Sequence, residues 1–354
     1  MLNRVSDETT TLYGDSATAA PPIPSTTVAV SVEAAARPRL VGDSRHARNQ
    51  YRELLSRSTD ATVYHTLEWL DVFVAEGADV AFVALGDEAM VPFVCKGRGA
   101  MRRAWSLPYD TYGGIVGGGG TVPVSFGAIV DALGIQSARV VDFAGRIETA
   151  GERENVTTHI VALDGTYGEV SSRYQDSNRR LIRQAGERGV TIGLMRDEAE
   201  LGAFHHLHEL TVGRKGSQAF SLEFFRRLYH NLVPAGLATF YLARHGDDVV
   251  GGNLILRLGE RAYDWMWVYD STRSELRVTN AMIDRAIHDE ANRGSTSLNL
   301  GSSPEYRLGS IRFKQSFGAE AFAYCIFSRT GGVYTWARRL KQQARRFTGA
   351  FGKR

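Results

Sequence analysis

The amino-acid sequence predicts an α+β protein made of two similar halves, each a mixed, mostly antiparallel sheet flanked by helices. The second half reads as strand, two helices, three strands, helix, strand, helix and strand, an order typical of a sheet covered by helices. Its three central strands are joined by tight turns at His245-Gly-Asp247 and Gly259-Glu260. Such short turns place consecutive strands side by side as antiparallel neighbours.

Composition and apolar periodicity divide the chain into four segments. Residues 1–40 contain seven Ala, six Thr and four of the nine prolines, so we expect a disordered leader over residues 1–43. An N-terminal half follows at 44–165 and a C-terminal half at 166–330. A basic amphipathic tail ends the sequence at 331–354.

In the N-terminal half, apolar residues three to four apart predict helices, and alternation predicts strands. The predicted helices cover residues 45–57, 68–75 and 124–133. The predicted strands cover residues 80–85, 90–96, 102–107, 138–143 and 157–163. The glycine-rich stretch 113–120 lacks the Gly-Lys-Ser/Thr of a P-loop. We expect Tyr109 and Tyr112, beside it, to line a substrate cleft between the halves.

The C-terminal half continues the pattern at greater length. The predicted helices cover residues 177–188, 198–213, 222–233 and 278–292. The predicted strands cover residues 190–195, 237–244, 249–258, 261–269 and 319–328. The stretch Leu298–Glu320 leads into the last of these strands. In it a short strand is followed by a Gly-Ser-Ser-Pro turn and by a short helix that ends at Gly318.

Composition excludes several classes of protein. The hydrophobic fraction of 43% and charged fraction of 23% are those of a soluble globular protein, and no apolar run has the length of a membrane span. Cys95 and Cys325 lie far apart, which favours a reducing compartment and a cytoplasmic location. His205, His206 and His208 lack a spacing suited to metal, so we predict no metal site.

Charge is unevenly distributed along the chain. Residues 336–354 hold seven Lys or Arg and no acid, and without them 35 basic and 39 acidic residues remain. The body therefore gives no reason to expect DNA binding. In the tail, Trp336, Leu340 and Phe347 recur at helical spacing opposite the cations, which fits attachment to an anionic membrane on its inner face. A solvated tail is the alternative.

One strand of the C-terminal half carries a candidate base. Alternation along residues 261–269 places Asp264 on a face with Ala262, Met266 and Val268, and the aromatic residues, including Trp267, on the other face. A buried carboxylate has a raised pKa and suits a proton acceptor, although an aspartate paired with arginine for structure is an alternative. Trp267 would stack on a base or a sugar, or form part of the core.

Cations near Leu298–Glu320 and in the helix at 177–188 are candidates for binding anions. Arg312 and Lys314 follow a strand end, where a cation suits an anionic ligand or a developing oxyanion, although Lys314 could equally lie in water. Arg179 and Arg183 are four residues apart and suit a diphosphate of an acceptor. The remaining substrate-binding candidates are Arg214 and Tyr306.

With these elements in place, the chain resembles the GNAT acyltransferase superfamily, and more closely its FemAB-like branch and the BioF2-like acetyltransferase domain. The matching segments are Ser177–Val190, Phe240–Leu254 and Arg312-Phe-Lys-Gln-Ser-Phe-Gly318, the last similar to the branch's Phe-Lys-x-x-Phe-Gly signature. The resemblance covers about residues 60–328 and is strongest from 175 onward. It implies two fused GNAT-like halves.

The resemblance also implies chemistry and a donor. FemAB-like enzymes place a functional lysine in the motif that contains Lys314. Acetyl-CoA-using GNAT enzymes usually carry a Gln/Arg-x-x-Gly-x-Gly/Ala loop, which the segment Glu275–Met282 lacks. This favours aminoacyl-tRNA as the acyl donor and leaves acyl-CoA as the alternative, with no permanently bound cofactor.

We therefore predict transfer of an aminoacyl or acyl group to an amine of a cell-envelope or polysaccharide precursor. Lys314 would stabilise the oxyanion, Asp264 would accept a proton, and Arg179, Arg183 and Arg214 would bind the acceptor. One alternative is an acyl-CoA-dependent N-acetyltransferase that acts on an amino sugar. The other is a non-catalytic GNAT-like binding protein at the membrane surface.

Overall fold

A computed structural model describes residues 37–109, 111–118, 124–148, 153–214 and 219–332. Within them the strands are β1 (Arg39–Gly42), β2 (Asp79–Ala84), β3 (Ala89–Lys96), β4 (Arg103–Ser106), β5 (Val116–Gly117), β6 (Ser137–Asp142), β7 (Arg153–Ala162), β8 (Val190–Leu194), β9 (Ala238–His245), β10 (Asp248–Leu258), β11 (Arg261–Tyr269), β12 (Ser297–Ser302) and β13 (Glu320–Arg329).

The same residues form nine α-helices, five of which begin at a side-chain cap. They are α1 (Arg45–Arg57), α2 (Leu67–Ala75), α3 (Phe126–Leu133), α4 (Tyr167–Ser172), α5 (Asp176–Glu187), α6 (Leu201–Gly213), α7 (Leu222–Leu232), α8 (Val278–Arg293) and α9 (Leu308–Gln315). The Ser44 hydroxyl accepts the Ala47 N–H at the start of α1, and Gly294 ends α8 with a φ of 91°.

The strands form one mixed sheet in the order β1-β2-β3-β4-β6-β13-β7-β12-β11-β10-β9-β8, with β5 paired to β3. Two pairs, β4 with β6 and β11 with β12, are parallel, and the other pairs are antiparallel. The predicted α+β class is therefore confirmed. The two halves share one sheet because their last strands are exchanged, so that β13 lies between β6 and β7, and β7 pairs with β12.

A hydrophobic core joins the two halves on one face of the sheet. Trp69 of α2 packs edge-on against Trp265 of β11 at 5.3 Å between ring centroids, and Phe73 packs against Phe224 of α7 at 6.3 Å. On the other face, α8 covers the C-terminal half through Ile283 and other apolar residues. Helix α3 covers the N-terminal half.

The fold begins earlier than the sequence predicts. Residues 39–42, placed in the disordered leader, pair antiparallel with β2, Leu40 lying opposite Val83. Four residues at a sheet edge are too few for their alternation to stand out, and main-chain hydrogen bonds hold them. The short helix α4 was not predicted either. Residues 1–36 and the tail from 333 lie outside the described residues.

Among the helices of the described ranges, none is both long and apolar enough to cross a bilayer.

Candidate acyltransferase site

The sheet opens in the C-terminal half, where β11 and β12 diverge. The two strands pair in parallel over three positions, from Arg261 with Ser297 to Tyr263 with Asn299. Beyond these pairs β11 continues to Tyr269 and β12 turns toward α9. The opening brings side chains of β11 close to α9.

A β-bulge lies in β11 at this point. Leu254 of β10 is opposite Met266, whereas the next residue, Ile255, is opposite Asp264. Trp265 is therefore an extra residue in β11, and it reverses the side-chain alternation beyond it. Bulges of this kind commonly re-aim side chains next to active sites.

The bulge divides the predicted aromatic face of β11 into two. Trp265 packs against Trp69 in the core between the halves. Trp267 instead stacks on Tyr269 at 5.8 Å and contacts Phe313 of α9 at 6.5 Å, on the face covered by α8 and α9. The prediction that these aromatic residues share one face is wrong, because simple alternation does not survive an inserted residue.

Lys314 directs its ammonium group into the protein. Its Nζ donates to the carbonyl oxygens of Gly301 at 2.7 Å and Ser302 at 2.8 Å, and the residue is 6% exposed. The alternative of a solvated lysine is therefore wrong. Burial lowers the pKa of Lys314 to about 8, against the opposing effect of the Asp264 carboxylate. Because an ammonium has three donors, the third can reach a substrate oxygen.

Asp264 lies close enough to Lys314 for the charge of each to act on the pKa of the other, although no hydrogen bond joins them. It is 7% exposed, and neither carboxylate oxygen hydrogen-bonds to any described group, so the alternative of a structural pair with arginine is not found among the described residues. Burial raises the pKa of Asp264 to about 7, while the charge of Lys314 opposes this shift. The carboxylate can accept a proton near neutral pH.

Two buried polar residues beside this pair were missed by the sequence analysis. His159 of β7 is 2% exposed, and burial, with a smaller effect of Lys314, lowers its pKa. Asn253 of β10 is fully buried, and neither polar atom of its side chain hydrogen-bonds to a described group. For Asn253, the signal available was a polar residue within a mostly apolar strand.

A chain of amides fixes the position of α9. Asn280 in the first turn of α8 donates to the Asn178 Oδ1 of α5 at 2.8 Å. Asn178 in turn donates to the carbonyl oxygen of Ser316, which follows α9, at 3.2 Å. Both asparagines are buried. This chain couples the start of α8 to the helix that carries Lys314.

Tyr112 supports the site from within the core. Its hydroxyl lies 2.8 Å from the Thr158 Oγ1 and 3.2 Å from the Asn299 Oδ1, and burial raises the pKa of Tyr112 to about 12. Asn299 Oδ1 also accepts the Gly301 N–H at 2.8 Å. Since the Gly301 carbonyl accepts from Lys314, this network holds one of the acceptors of the lysine.

A groove of about 300 Å³ opens at the start of α8. Its walls include the aromatic, cationic and helix-start residues Trp267, Tyr269, Phe313, Arg273, Arg277, Val278, Thr279 and Asn280. Arg277 takes a left-handed conformation, and no side chain caps α8, so the first N–H groups of the helix are available to a ligand. Arg273 lies 2.8 Å from the Asp248 carboxylate, and Arg277 beside a helix N-terminus favours a phosphate.

The predicted acceptor-binding arginines differ in their surroundings. Arg214 lies 4.8 Å over the ring of Tyr269, beside the groove. Arg179 donates to the carbonyl oxygens of Ser172 at 3.0 Å and of Tyr174, which gives it a structural contact after α4.

Arg183 is exposed and lies 3.5 Å from the carboxylate of Glu187 on its own helix.

The remaining candidates lie apart from one another. Tyr109 packs against Phe220 at 4.7 Å between ring centroids and against Phe73 at 5.6 Å, so it belongs to the core between α2 and α7. Tyr306 is 68% exposed in the segment between β12 and α9, and Arg312 is exposed on α9. Substrate-binding roles for these residues stay predictions.

The histidines of α6 have structural contacts. His208 Nε2 accepts the Phe220 N–H at 3.1 Å, and His205 Nε2 lies 3.0 Å from the Phe220 carbonyl oxygen. No group of three or more metal-binding side chains occurs in the part of the chain that the structure describes.

The opened sheet, the groove and the buried lysine all lie in the C-terminal half. Residues 172–315 match the family described as Acetyltransferase (GNAT) domain, and this range contains Asp264 and the Phe-Lys dipeptide of α9. Residues 172–315 are therefore a GNAT acyltransferase domain of the FemAB-like branch, and the predicted resemblance is confirmed for this part of the chain.

Solved structures share this fold across most of the chain. FemX is 11% identical with a TM-score of 0.58, and the match covers 81% of this chain and 96% of FemX. L-PGS from Bacillus licheniformis is 14% identical with a TM-score of 0.53, and the match covers 82% of this chain and 93% of L-PGS.

A third similar structure is the C-terminal domain of a putative lysylphosphatidylglycerol synthetase from Agrobacterium fabrum. It is 11% identical with a TM-score of 0.52, and the match covers 83% of this chain and 95% of that domain. Identities this low show the fold alone. A search of curated protein sequences gave no match.

Proposed function

We propose that this protein transfers an aminoacyl or acyl group to an amine of a cell-envelope or polysaccharide precursor. The observation that carries the proposal is the buried Lys314–Asp264 pair at the divergence of β11 and β12. Acyl transfer to an amine needs a positive group for the oxyanion and an acceptor for the amine proton. Lys314 would supply the positive group and Asp264 the proton acceptor. Both residues lie in the range that matches the acetyltransferase family.

The groove at the start of α8 would hold the donor through its phosphates. Arg273, Arg277 and the free N–H groups of α8 would bind the anion, and the ring of Trp267 offers a surface for an adjacent base. Aminoacyl-tRNA and acyl-CoA both carry phosphate beside adenosine, so the groove suits either donor. The name lysylphosphatidylglycerol synthetase of one similar structure motivates testing an aminoacyl donor first.

The reaction would proceed by direct attack of the amine. Its nitrogen forms a C–N bond with the acyl carbon, whose oxygen becomes negative and accepts a hydrogen bond from the Lys314 Nζ. Asp264 takes the proton that the nitrogen loses. The C–O bond of an aminoacyl ester, or the C–S bond of a thioester, then breaks, and Asp264 passes its proton to the leaving atom. Arg214, beside the groove, would hold an anionic part of the acceptor.

The test offers two labelled donors, acetyl-CoA and a mixture of aminoacyl-tRNAs, with amino sugars and amine-bearing cell-envelope precursors as acceptors. We expect label to pass from one donor to an amine, identified by mass spectrometry of the product. Turnover with acetyl-CoA alone would favour the amino-sugar N-acetyltransferase over the tRNA-dependent reaction. No transfer from either donor would reject the proposal.

The lysine gives a matched comparison. Lys314→Met keeps the length of the side chain and removes its charge, and we expect kcat to fall about 100- to 1000-fold, the usual loss of an oxyanion-stabilising group. Lys96→Met, in β3 of the other half, is the control and should leave kcat unchanged. Equal activity of the two variants would exclude the role given to Lys314.

A further inference from the structure

Asn253 and Asp264 form a pair of buried polar side chains that lack partners. Each residue is more than nine-tenths buried, and none of their four side-chain oxygen and nitrogen atoms hydrogen-bonds to a described group. Folded proteins rarely bury polar atoms in this way, because each unpaired atom has lost its hydrogen bonds to water. Two such residues close together indicate a place for a ligand.

The sheet register places the two side chains next to each other. Asp264 lies opposite Ile255 across the β10–β11 pair, and Asn253 precedes Ile255 by two residues on the same face of β10. Ile255 packs in one cluster with Ile283 of α8, so both polar side chains point to the α8 side of the sheet. Diagonal neighbours of this kind are about 7–8 Å apart, close enough for one small group to touch both.

The pair also lies next to the donor groove. Asn253 is opposite Trp267 in the register, and Trp267 forms part of the groove wall. A group held by Asn253 and Asp264 would therefore lie between the donor site and Lys314.

We propose that Asn253 and Asp264 bind a primary ammonium group of the substrate; this rests on the proposed acyl transfer and names the substrate chemistry of that site. An ammonium offers three N–H donors, and the pair offers three acceptors, namely the two Asp264 carboxylate oxygens and the Asn253 Oδ1. The Asn253 Nδ2 then donates to an oxygen next to the amine. A neutral hydroxyl or methyl group in the same place would add no positive charge to offset the buried carboxylate, which makes no hydrogen bond with Lys314.

Two substrates could supply this ammonium. One is the acceptor, whose ammonium would lose one proton to water before attack and a second proton to Asp264 on attack. The other is an aminoacyl donor, whose α-amino group lies next to the reacting carbonyl. The chemistry of recognition is the same in both, and binding measurements on the full-length protein can separate them.

The experiment measures binding by calorimetry without any donor, at about pH 7, where both amines are largely protonated. Glucosamine is compared with glucose, and alaninamide with propionamide. We expect at least one amine to bind roughly tenfold or more tightly than its neutral counterpart, with the preference lost in Asp264→Asn. The amine that binds assigns the site to the acceptor or to the aminoacyl donor. Equal binding within both pairs would overturn the proposal.

A second variant separates a binding role from a structural one. Asn253→Leu replaces unpaired polar atoms by an apolar group of similar size, so we expect a melting temperature higher by a few degrees together with loss of the ammonium preference. Asn299→Leu is the control, because Asn299 accepts hydrogen bonds from Thr158 and Gly301 and should lower the melting temperature. Asn253→Leu contradicts the proposal if it lowers the melting temperature or retains the preference.

The two proposals fail separately. Ammonium binding without transfer from either donor would reject the acyltransferase function and keep the ammonium site. Transfer without any amine preference at Asn253 and Asp264 would reject the site and keep the function.

Discussion

Burial gives Lys314 and Asp264 their chemistry. Desolvation disfavours the charged form of each residue, so the pKa of Lys314 falls to about 8 and the pKa of Asp264 rises to about 7. Each charge partly offsets the shift of the other. The pair can therefore exist near neutral pH as an ammonium and a carboxylate, the state that the proposed reaction needs.

The first prediction concerns the pH dependence of kcat/KM. Activity should rise as Asp264 loses its proton near pH 7 and fall as Lys314 loses its proton near pH 8, with both limbs belonging to the coupled pair. The neighbouring titratable groups do not add limbs there, since burial lowers the pKa of His159 and raises that of Tyr64 well above 10.

Two variants assign these limbs. Asp264→Asn should lose about 100-fold or more in kcat and the acid limb with it. Lys314→Arg keeps a charge that does not titrate, so the alkaline limb should move beyond the measured range in whatever activity remains. Asp87→Asn, in an exposed turn, serves as the control. An acid limb that persists in Asp264→Asn would exclude this residue as the base.

The sequence indicated individual candidate residues but not how they are arranged. Lys314 came from a motif and Asp264 from strand alternation, and the structure couples the two. That Trp265 and Trp267 lie on opposite faces of the sheet could not be predicted, because a bulge leaves no clear mark in an alternating sequence pattern. Asn253 was missed because its significance lies in having no partner, which requires a three-dimensional structure to see.

At the scale of elements, the start of α8 would bind the donor, as proposed above, without the phosphate-binding loop of other GNAT enzymes. The Glu275–Met282 segment has no glycine-rich phosphate loop, yet its left-handed Arg277 leaves the helix uncapped beside Arg273. Helix boundaries were predicted to within a few residues, since α1 begins at the Ser44 cap and α8 ends at Gly294. The shape of the groove depends on the path of the chain from the end of β11 to the start of α8, and periodicity alone does not predict that path.

The second prediction tests this groove. Replacing Arg273 and Arg277 together by Gln should raise KM for the donor about tenfold or more and change kcat little, because the lost contacts are made equally in the ground state and the transition state. The effect should shrink as salt screens the phosphate contacts. Arg98→Gln, exposed in the N-terminal half, is the control. A fall in kcat without a change in KM would place the donor elsewhere.

The third prediction concerns the amide chain that holds α9. Asn178→Ala should lower the free energy of unfolding by about 1–3 kcal/mol and reduce kcat, since α9 loses a hydrogen bond next to Lys314. Asn280→Ala should have a similar effect, and the double variant should cost less than the sum. Urea unfolding and transfer assays measure the two effects. Full additivity would show that the amides do not act as one chain.

At the scale of the whole molecule, the two halves depend on each other. The C-terminal half places its last strand, β13, between two strands of the N-terminal half, and β7 fills the corresponding position beside β12. Chain order alone does not predict this exchange, because two separate sheets would have the same sequence of elements. His159 reaches the site for this reason, as a residue of β7 from the N-terminal half.

The fourth prediction follows from the exchange. A fragment of residues 166–332 keeps Lys314 and Asp264 but loses β7, so β12 and β13 each lose a hydrogen-bonded neighbour, and the aromatic core around Trp265 loses Trp69. We expect this fragment to show no cooperative unfolding transition in urea, whereas residues 37–332 should unfold cooperatively.

Supplying residues 37–165 as a separate chain should restore the transition, because the missing strand then returns to its place between β13 and β12. A fragment of residues 166–332 that unfolds cooperatively without it would mean that β12 and β13 can pair directly. The C-terminal half would then be an autonomous unit, and the exchange of β7 and β13 would be unnecessary for building the site around Lys314.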